Sequence, residues 1–273
     1  MCGIIIYTKI VPIKNHWTKY MFNQSGHPYS SFKKKLNTSQ ILSLIALAGL
    51  AAFILNVMPF SFVFNYPFRL LLTIVHELGH GIAAILTGGY FQNFVIFADG
   101  SGLAYTAGGW RFVVIPTGYL SVAIFGACLI LAGRSQLASR RAMGLIGLAM
   151  IGFTLRYATP TLFSRQFFHG ILTIVSGLAF GGMFLWLAAN VSDKMTIFLL
   201  HLIAIEAGLT AFSDLGTVIR ISTFSGNVVL NDATSMAQLT GIPAIFWAVV
   251  WIIIACGLLG GAIWQTWLRD VEL

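Results

Sequence analysis

Long apolar stretches recur along most of the chain, separated by short polar or glycine-rich segments. Each stretch has about the length that a helix needs to cross the hydrocarbon core of a bilayer. We therefore predict an all-α polytopic membrane protein with about six or seven transmembrane helices. The predicted helices are residues 41–60, 68–88, 112–133, 142–160, 170–189, 195–213 and 243–267.

Two segments between these stretches lack a helical pattern. Residues 89–111 contain an apolar β-rich run, a turn signal at Asp99-Gly100 and a second short run, which predicts a re-entrant β-hairpin-like loop. Residues 214–242 carry several charged residues and predict a polar connection with some helix. Because no change of composition divides the remaining chain, we expect a basic N-terminal tail at 1–40 and a single transmembrane domain at 41–273.

Composition supports a membrane protein and excludes an ordinary soluble domain. Of the 273 residues, 58% are hydrophobic and only 9% are charged, whereas soluble domains carry about 25% charged residues. The net charge of +8 comes largely from the tail, with Lys9, Lys14, Lys19, Lys33, Lys34 and Lys35. This position is typical of a cytoplasmic segment beside anionic lipid, not of a nucleic-acid surface.

A count of basic residues between the predicted helices gives the orientation. With the tail inside, the inner segments hold its six lysines plus four arginines, and the outer segments hold five basic residues. Ten against five favours a cytoplasmic tail. The inner arginines are Arg111, Arg156, Arg165 and Arg220, and the outer residues are Arg134, Arg140, Arg141, Lys194 and Arg269.

Two histidines and one glutamate fall within five residues of the second predicted helix, in the run LLTIVHELGHGIAAIL. Charged groups at the centre of a membrane helix cost on the order of 2.5–3.5 kcal/mol each, so a cluster of them indicates a function. His76 and His80 are four residues apart and leave the same helix face, where their imidazoles can share one metal ion. Glu77 lies beside them and can act as general base toward a metal-bound water. The pattern predicts one Zn²⁺ per chain.

A catalytic zinc site commonly has a third protein ligand and one open position. The pattern H-x-x-G-x-x-H, which would supply a third histidine, is absent because Ala83 stands where its glycine would be. We choose Asp214, which closes the sixth predicted helix and can face the bundle, and we leave Asp232 and Glu206 open as alternatives. The full set of candidates is Asp99, His169, Asp193, His201, Glu206, Asp214 and Asp232.

These motifs resemble the site-2 protease family of intramembrane zinc metallopeptidases, in particular its compact branch without a PDZ domain. The resemblance covers residues 68–267 and rests on four blocks of the sequence. They are H-E-L-G-H followed by T-G-G, GGWR…GYLSVAIFGA (108–127), AFSDLGTVIR (211–220) and DATSMAQLTGIPAIFWAVVW (232–251).

The resemblance implies a zinc metalloprotease that hydrolyses peptide bonds of membrane-embedded or membrane-adjacent substrates, as in regulated intramembrane proteolysis. His76 and His80 match the zinc-binding histidines, Glu77 matches the catalytic glutamate, and Asp214 matches the third-ligand aspartate by position. Family members have the sequence L-D-G around that aspartate, whereas this chain has S-D-L-G.

The expected partners are the lipid bilayer and a membrane protein or peptide substrate, with no nucleic acid. Substrate identity and oligomeric state stay open. Two other functions are compatible with the same residues: a catalytically inactive scaffold or receptor that retains the zinc motif, and a transporter, because buried His, Glu and Asp also form ion pathways.

Overall fold

The computed structural model describes residues 36–224 and 231–268. All six tail lysines lie outside the described residues. The helices are α1 (Thr38–Val57), α2 (Ser61–Leu86), α3 (Arg111–Ala132), α4 (Gln136–Phe153), α5 (Phe167–Asn190), α6 (Asp193–Phe224), α7 (Asp232–Thr240) and α8 (Ala244–Ile263). The strands are β1 (Tyr90–Ile96) and β2 (Gly102–Ala107).

Within the described residues, seven helical segments are long and apolar enough to cross a membrane, which confirms the predicted all-α polytopic fold. The largest differences from the predicted bounds are at three helix ends. The second helix begins at Ser61 instead of residue 68, the fourth begins at Gln136 instead of residue 142, and the sixth continues to Phe224 through part of the predicted connection. The earlier start of α2 takes in Asn65, whose side chain donates hydrogen bonds to Leu55 O and Asn56 Oδ1 at the end of α1.

The segment after α2 forms the predicted antiparallel hairpin. Its turn is closed by Phe97 N–H, which donates to Ser101 O at 2.8 Å, and by Gly100, whose φ of 82° favours glycine. β1 is the inner strand, with Phe94 fully buried and Phe91 stacked on Tyr157 at a ring-centroid distance of 4.2 Å. The hairpin is therefore fixed against the helices along β1.

Among the residues that the structure describes, no further strand pairs with the outer edge of β2. Phe97 and Ser101 form a hydrogen-bonded pair. In the next pair, Ile96 and Gly102, the N–H of Ile96 points away from β2 and donates to Thr173 Oγ1 on α5. Hydrogen-bonded and non-hydrogen-bonded pairs alternate in antiparallel sheets. The backbone polar groups of Gly102 and Ala104 therefore point away from β1.

Close contact between α2 and α3 sets the position of the H-E-L-G-H segment. A Cβ atom on Gly79 would lie 2.7 Å from Thr117 O and would overlap Ser121, so only glycine permits this approach. Ser121 Oγ donates to Val75 O across the contact at 3.0 Å. Small residues and a polar crosslink of this kind are the usual means by which membrane helices associate.

Candidate metal centre

The two histidines of α2 converge as their spacing predicts. His76 Nε2 and His80 Nε2 are 3.1 Å apart, and the ring centroids are separated by 4.8 Å. His80 Nδ1 lies 2.8 Å from Val114 O on α3. Because a carbonyl oxygen only accepts, Nδ1 carries the proton and Nε2 of the neutral ring presents its lone pair. Helix α3 thus selects the tautomer of His80 that can bind a metal.

Asp232 completes the group. Its Oδ2 atom lies 3.1 Å from His76 Nε2 and 3.2 Å from His80 Nε2. Burial disfavours the charged carboxyl, but the attraction of His80 and His76 in their protonated forms outweighs it and holds the pKa of Asp232 below its usual range. A carboxylate and two imidazoles that meet at one point are a donor set that Zn²⁺ accepts.

The N-terminus of α7 holds Asp232 in this place. Asn231 caps the helix: its Oδ1 accepts from Thr234 N–H at 2.9 Å, and Asn231 N–H donates to Thr234 Oγ1 at 2.8 Å. This reciprocal capping box starts the helix at Asp232. The aspartate therefore stands on a fixed helix end rather than on an unsupported loop.

The spacing of the three atoms fits a metal ion. The ligand atoms of a tetrahedral Zn²⁺ with bonds of about 2.0–2.1 Å lie roughly 3.3–3.4 Å apart, close to the distances between His76, His80 and Asp232. Asp232 Oδ2 is buried and has no conventional hydrogen-bond donor among the described residues. Gly118 keeps space open beside the imidazoles, because a Cβ atom there would lie under 3.0 Å from Nε2 of both histidines.

Asp214, the third ligand chosen from the sequence, is not part of this triad. It lines the same cavity and interacts electrostatically with Arg69 and His76. The capped start of α7 brings Asp232 to the imidazoles instead, which the sequence analysis had left as an alternative.

The other candidates are engaged elsewhere. Glu206 accepts hydrogen bonds from Asn56 Nδ2, Asp193 pairs with Arg140, and His201 bonds to Ile197 O. His169 packs edge to face against Phe97. Asp99 accepts from Ser101 in the hairpin turn, and these hydrogen bonds, with the charge of Arg69, lower the pKa of the Asp99 carboxyl.

Glu77 is 4% exposed and lies in the same cavity as the histidines. The outer edge of β2 covers it: the backbone N–H of Ala104 lies close enough to act on its carboxylate, and Gly102 approaches so closely that a Cβ atom there would lie 2.6 Å from Glu77 Oε1. The hairpin therefore helps to hold the general-base candidate beside the triad.

The cavity has a volume of about 690 Å³. Its walls combine the triad and Glu77 with the outer edge of β2 and with two basic side chains, Arg69 and Arg111. This space is large enough for several residues of an extended peptide. Polar groups and a metal-type donor set inside an apolar bundle are an arrangement suited to hydrolysis.

Two glycines shape the site: the sequence did not point to Gly102, and the family resemblance places Gly118 near the site without its role beside the imidazoles. Gly102 lies at the start of a short apolar strand, and Gly118 lies within an apolar helix where it interrupts VVIPTGYLSVAI. A glycine in either setting is locally unfavourable and often marks a close approach. That signal was present, although nothing in the pattern says which group approaches.

Comparison with known proteins places these observations in a family. Residues 44–262 match the family model described as Peptidase M50B-like, a range that includes α2 to α7, both strands and nearly all of α8. Neither the curated proteins nor the solved structures contain a significant match to the chain.

Proposed function

Because the chain belongs to the Peptidase M50B-like family, we propose that it is an intramembrane zinc metallopeptidase. Its substrates would be membrane-embedded or membrane-adjacent polypeptides. The observation that carries the proposal is the convergence of His76, His80 and Asp232 beside Glu77 in one cavity. We assign Asp232, not Asp214, as the third ligand, since its carboxylate oxygen is the one in contact with both imidazoles.

Zinc bound to these three residues would supply a Lewis acid that makes water acidic enough to react near neutral pH. Glu77 is positioned to take the proton of the attacking water and to pass it to the departing amine. Its contact with Ala104 orients the carboxylate for this transfer. His80 is in turn held by Val114 O, so each reacting side chain has a fixed partner.

Substrate access follows from the position of the site along the helices. Gly118 lies seven residues from the start of α3, which corresponds to about 10 Å of helix, so the centre would lie inside the bilayer near its hairpin side. A helical substrate must unwind before its carbonyls can react. The free edge of β2 could hold the unwound strand by β-augmentation, although the same hairpin could serve only to cover Glu77.

Metal content is the first test. Purified wild-type protein should hold about one zinc per chain, and His80→Ala and Asp232→Ala should each lose it, because the removal of one of three ligands leaves too few. Asp214→Ala is the matched control, since it removes an aspartate from the same cavity and should retain zinc. Loss of zinc in Asp214→Ala with retention in Asp232→Ala would reverse our assignment.

Catalysis needs a separate test. Glu77→Gln keeps the shape of the side chain but cannot accept the proton, so it should retain zinc and lose cleavage of a co-expressed membrane substrate. Cleavage at the wild-type rate by this variant would show that Glu77 is not the base.

An inactive scaffold is the alternative function. It drew support from the unusual S-D-L-G block around Asp214. A triad that includes Asp232 does not depend on that block. The difference between S-D-L-G and the family's L-D-G therefore no longer favours the scaffold. Wild-type protein that takes up no zinc, even after reconstitution, would favour it again.

A further inference from the structure

Tyr119 on α3 contacts the centre through its ring. It packs edge to face against His76, with ring centroids 4.9 Å apart and an interplanar angle of 88°. Its ring centroid also lies 5.7 Å from that of Trp251, which is 2% exposed and belongs to a buried cluster of α7 and α8 residues. The phenol ring is therefore held between a metal-ligand candidate and a rigid wall.

The hydroxyl of Tyr119 has no structural task of its own. Among the described residues, no hydrogen bond involves it, and it is not one of the fully enclosed polar atoms. The residue lines the cavity. Three carboxylates, those of Asp232, Asp214 and Glu77, lie near enough to interact with the phenol electrostatically. A residue that lines the cavity and touches His76 thus carries a hydroxyl with no hydrogen-bond partner among the described residues.

We propose that Tyr119 is a further catalytic residue, whose O–H donates a hydrogen bond to the substrate carbonyl oxygen as that oxygen becomes negative; the assignment rests on the proposed peptidase function. When water adds to the carbonyl carbon, the C=O electron pair moves to oxygen, and the phenol, protonated at neutral pH, stabilises that charge without transferring its proton. The pair returns as the C–N bond breaks, and the amine leaves with the proton from Glu77.

Tyr119 suits this task better than Arg69, a basic residue of the same cavity. Arg69 is held at the hairpin turn, where a Cβ atom on Gly100 would lie 2.7 Å from its Nε, and its charge acts on Asp99 and Asp214. Tyr119 instead touches the ring of His76 itself. A donor preorganised next to the reacting carbonyl needs no rearrangement during the reaction.

The test compares Tyr119→Phe with Tyr157→Phe, which makes the same chemical change against Phe91, outside the residues that line the cavity. The first readout is cleavage of a single-span reporter peptide with central glycines, reconstituted in the same liposomes. Tyr119→Phe should retain zinc and lower kcat about 100- to 1000-fold with little change in KM. Tyr157→Phe should match the wild type.

The second readout does not depend on turnover. Inorganic phosphate, a tetrahedral oxyanion, is titrated into Co²⁺-substituted protein and followed by the visible absorption of the metal. Tyr119→Phe should bind phosphate about tenfold more weakly than the wild type, because one hydrogen bond to a charged group is lost. Equal phosphate affinity in both proteins, or failure of the metal-loaded wild type to bind phosphate, would overturn the role of Tyr119. A wild type that takes up no metal would overturn the peptidase proposal first, and this inference with it.

Discussion

Gly118 faces the imidazoles of both histidines from α3 and leaves them the space that a metal ion needs. Gly118→Ala would place a methyl group there, so we expect zinc affinity to fall by at least about tenfold, as when other residues that support metal ligands are changed. Zinc per chain, measured after dialysis against a weak chelator, checks this expectation.

The matched control for that variant is Gly182→Ala on α5. A Cβ atom at Gly182 has nothing within 4 Å, and the backbone there is helical. This control should retain zinc and thermal stability, since alanine favours a helix over glycine. Full zinc retention in Gly118→Ala would mean that the metal lies elsewhere than between the imidazoles.

At the residue scale, the sequence predicts the donors that lie on one helix but not the donor that arrives from another. His76, Glu77 and His80 share α2, so the helical period alone predicts their convergence. Asp214 and Asp232 stand in neighbouring blocks of similar polarity. The choice between them depends on the capping box at Asn231, which starts α7, and on how α7 packs against α3, a long-range contact that local patterns do not contain.

The outer edge of β2 is the part of the hairpin that contacts Glu77. Ala104→Pro removes an N–H that points away from β1 and contacts Glu77, so the ladder with β1 should survive while the base loses its partner. We expect zinc to be retained and kcat to fall about 10- to 100-fold, the range for a hydrogen bond to a charged group. Cleavage kinetics with metal analysis check this result.

The contrasting variant is Leu103→Pro, one residue earlier. Leu103 pairs with Val95 at a position where the backbone groups face β1, so proline there should break the ladder and lower thermal stability. If Ala104→Pro destabilised the protein as much as Leu103→Pro, the alternation that we assign to the hairpin would be incorrect. A rise in KM for Ala104→Pro would add evidence that the same edge also binds substrate.

Arg140 on α4 joins three helices at the other end of the bundle. Its Nε donates to Asp193 Oδ1, and its two terminal nitrogens donate to Ala188 O and Val191 O at the end of α5, each at 2.6 Å. Arg140→Ala would leave these carbonyls without this partner, so the free energy of unfolding should fall by about 2–3 kcal/mol. Thermal unfolding in detergent should show a Tm lower by several degrees.

Arg141 supplies the control for this prediction. It is exposed, and the described residues include no hydrogen bond or ion pair of its side chain. Arg141→Ala should change stability by no more than about 0.5 kcal/mol. Equal Tm values for both variants would show that the Arg140 network contributes nothing beyond a surface charge.

At the element scale, apolar length predicts the spans well because the bilayer imposes it. The errors occur where a polar side chain has an interhelical partner, as Asn65 has at the start of α2. The segment RSQLASRR (134–141) is a related case, because α4 begins within it at Gln136 and not at residue 142 as predicted. Its Arg140 lies in the helix and is held by contacts with α5 and α6.

For the whole molecule, the order of the spans decides which parts of the chain can build the site together. The hairpin follows the second candidate span, and α7 follows the sixth. Segments that follow an even number of spans emerge on the same side of a membrane. The outer edge of β2 and the start of α7 therefore approach His76 and His80 from one side of the membrane, because each follows an even number of spans.

The same parity makes the orientation testable. The basic tail precedes the first span, so the hairpin should face the cytoplasm if the tail lysines follow the positive-inside rule. We expect Ala98→Cys, exposed in the hairpin turn, to react with an impermeant maleimide in inside-out vesicles only. Pro59→Cys, exposed between α1 and α2, should react in right-side-out vesicles only, with both variants built after Cys2, Cys128 and Cys256 are replaced by serine.

The labelling result also decides from which compartment water and metal reach the cavity, and into which compartment the products leave. Reaction of Ala98→Cys from the cytoplasmic side would mean that the centre opens toward the compartment of the tail and that cleaved fragments leave there. The reverse pattern would invert the chain without any change in the site, because both site-building segments move together. Reaction of both cysteines from one side would contradict the single span between them and would remove α2 from the set of spans.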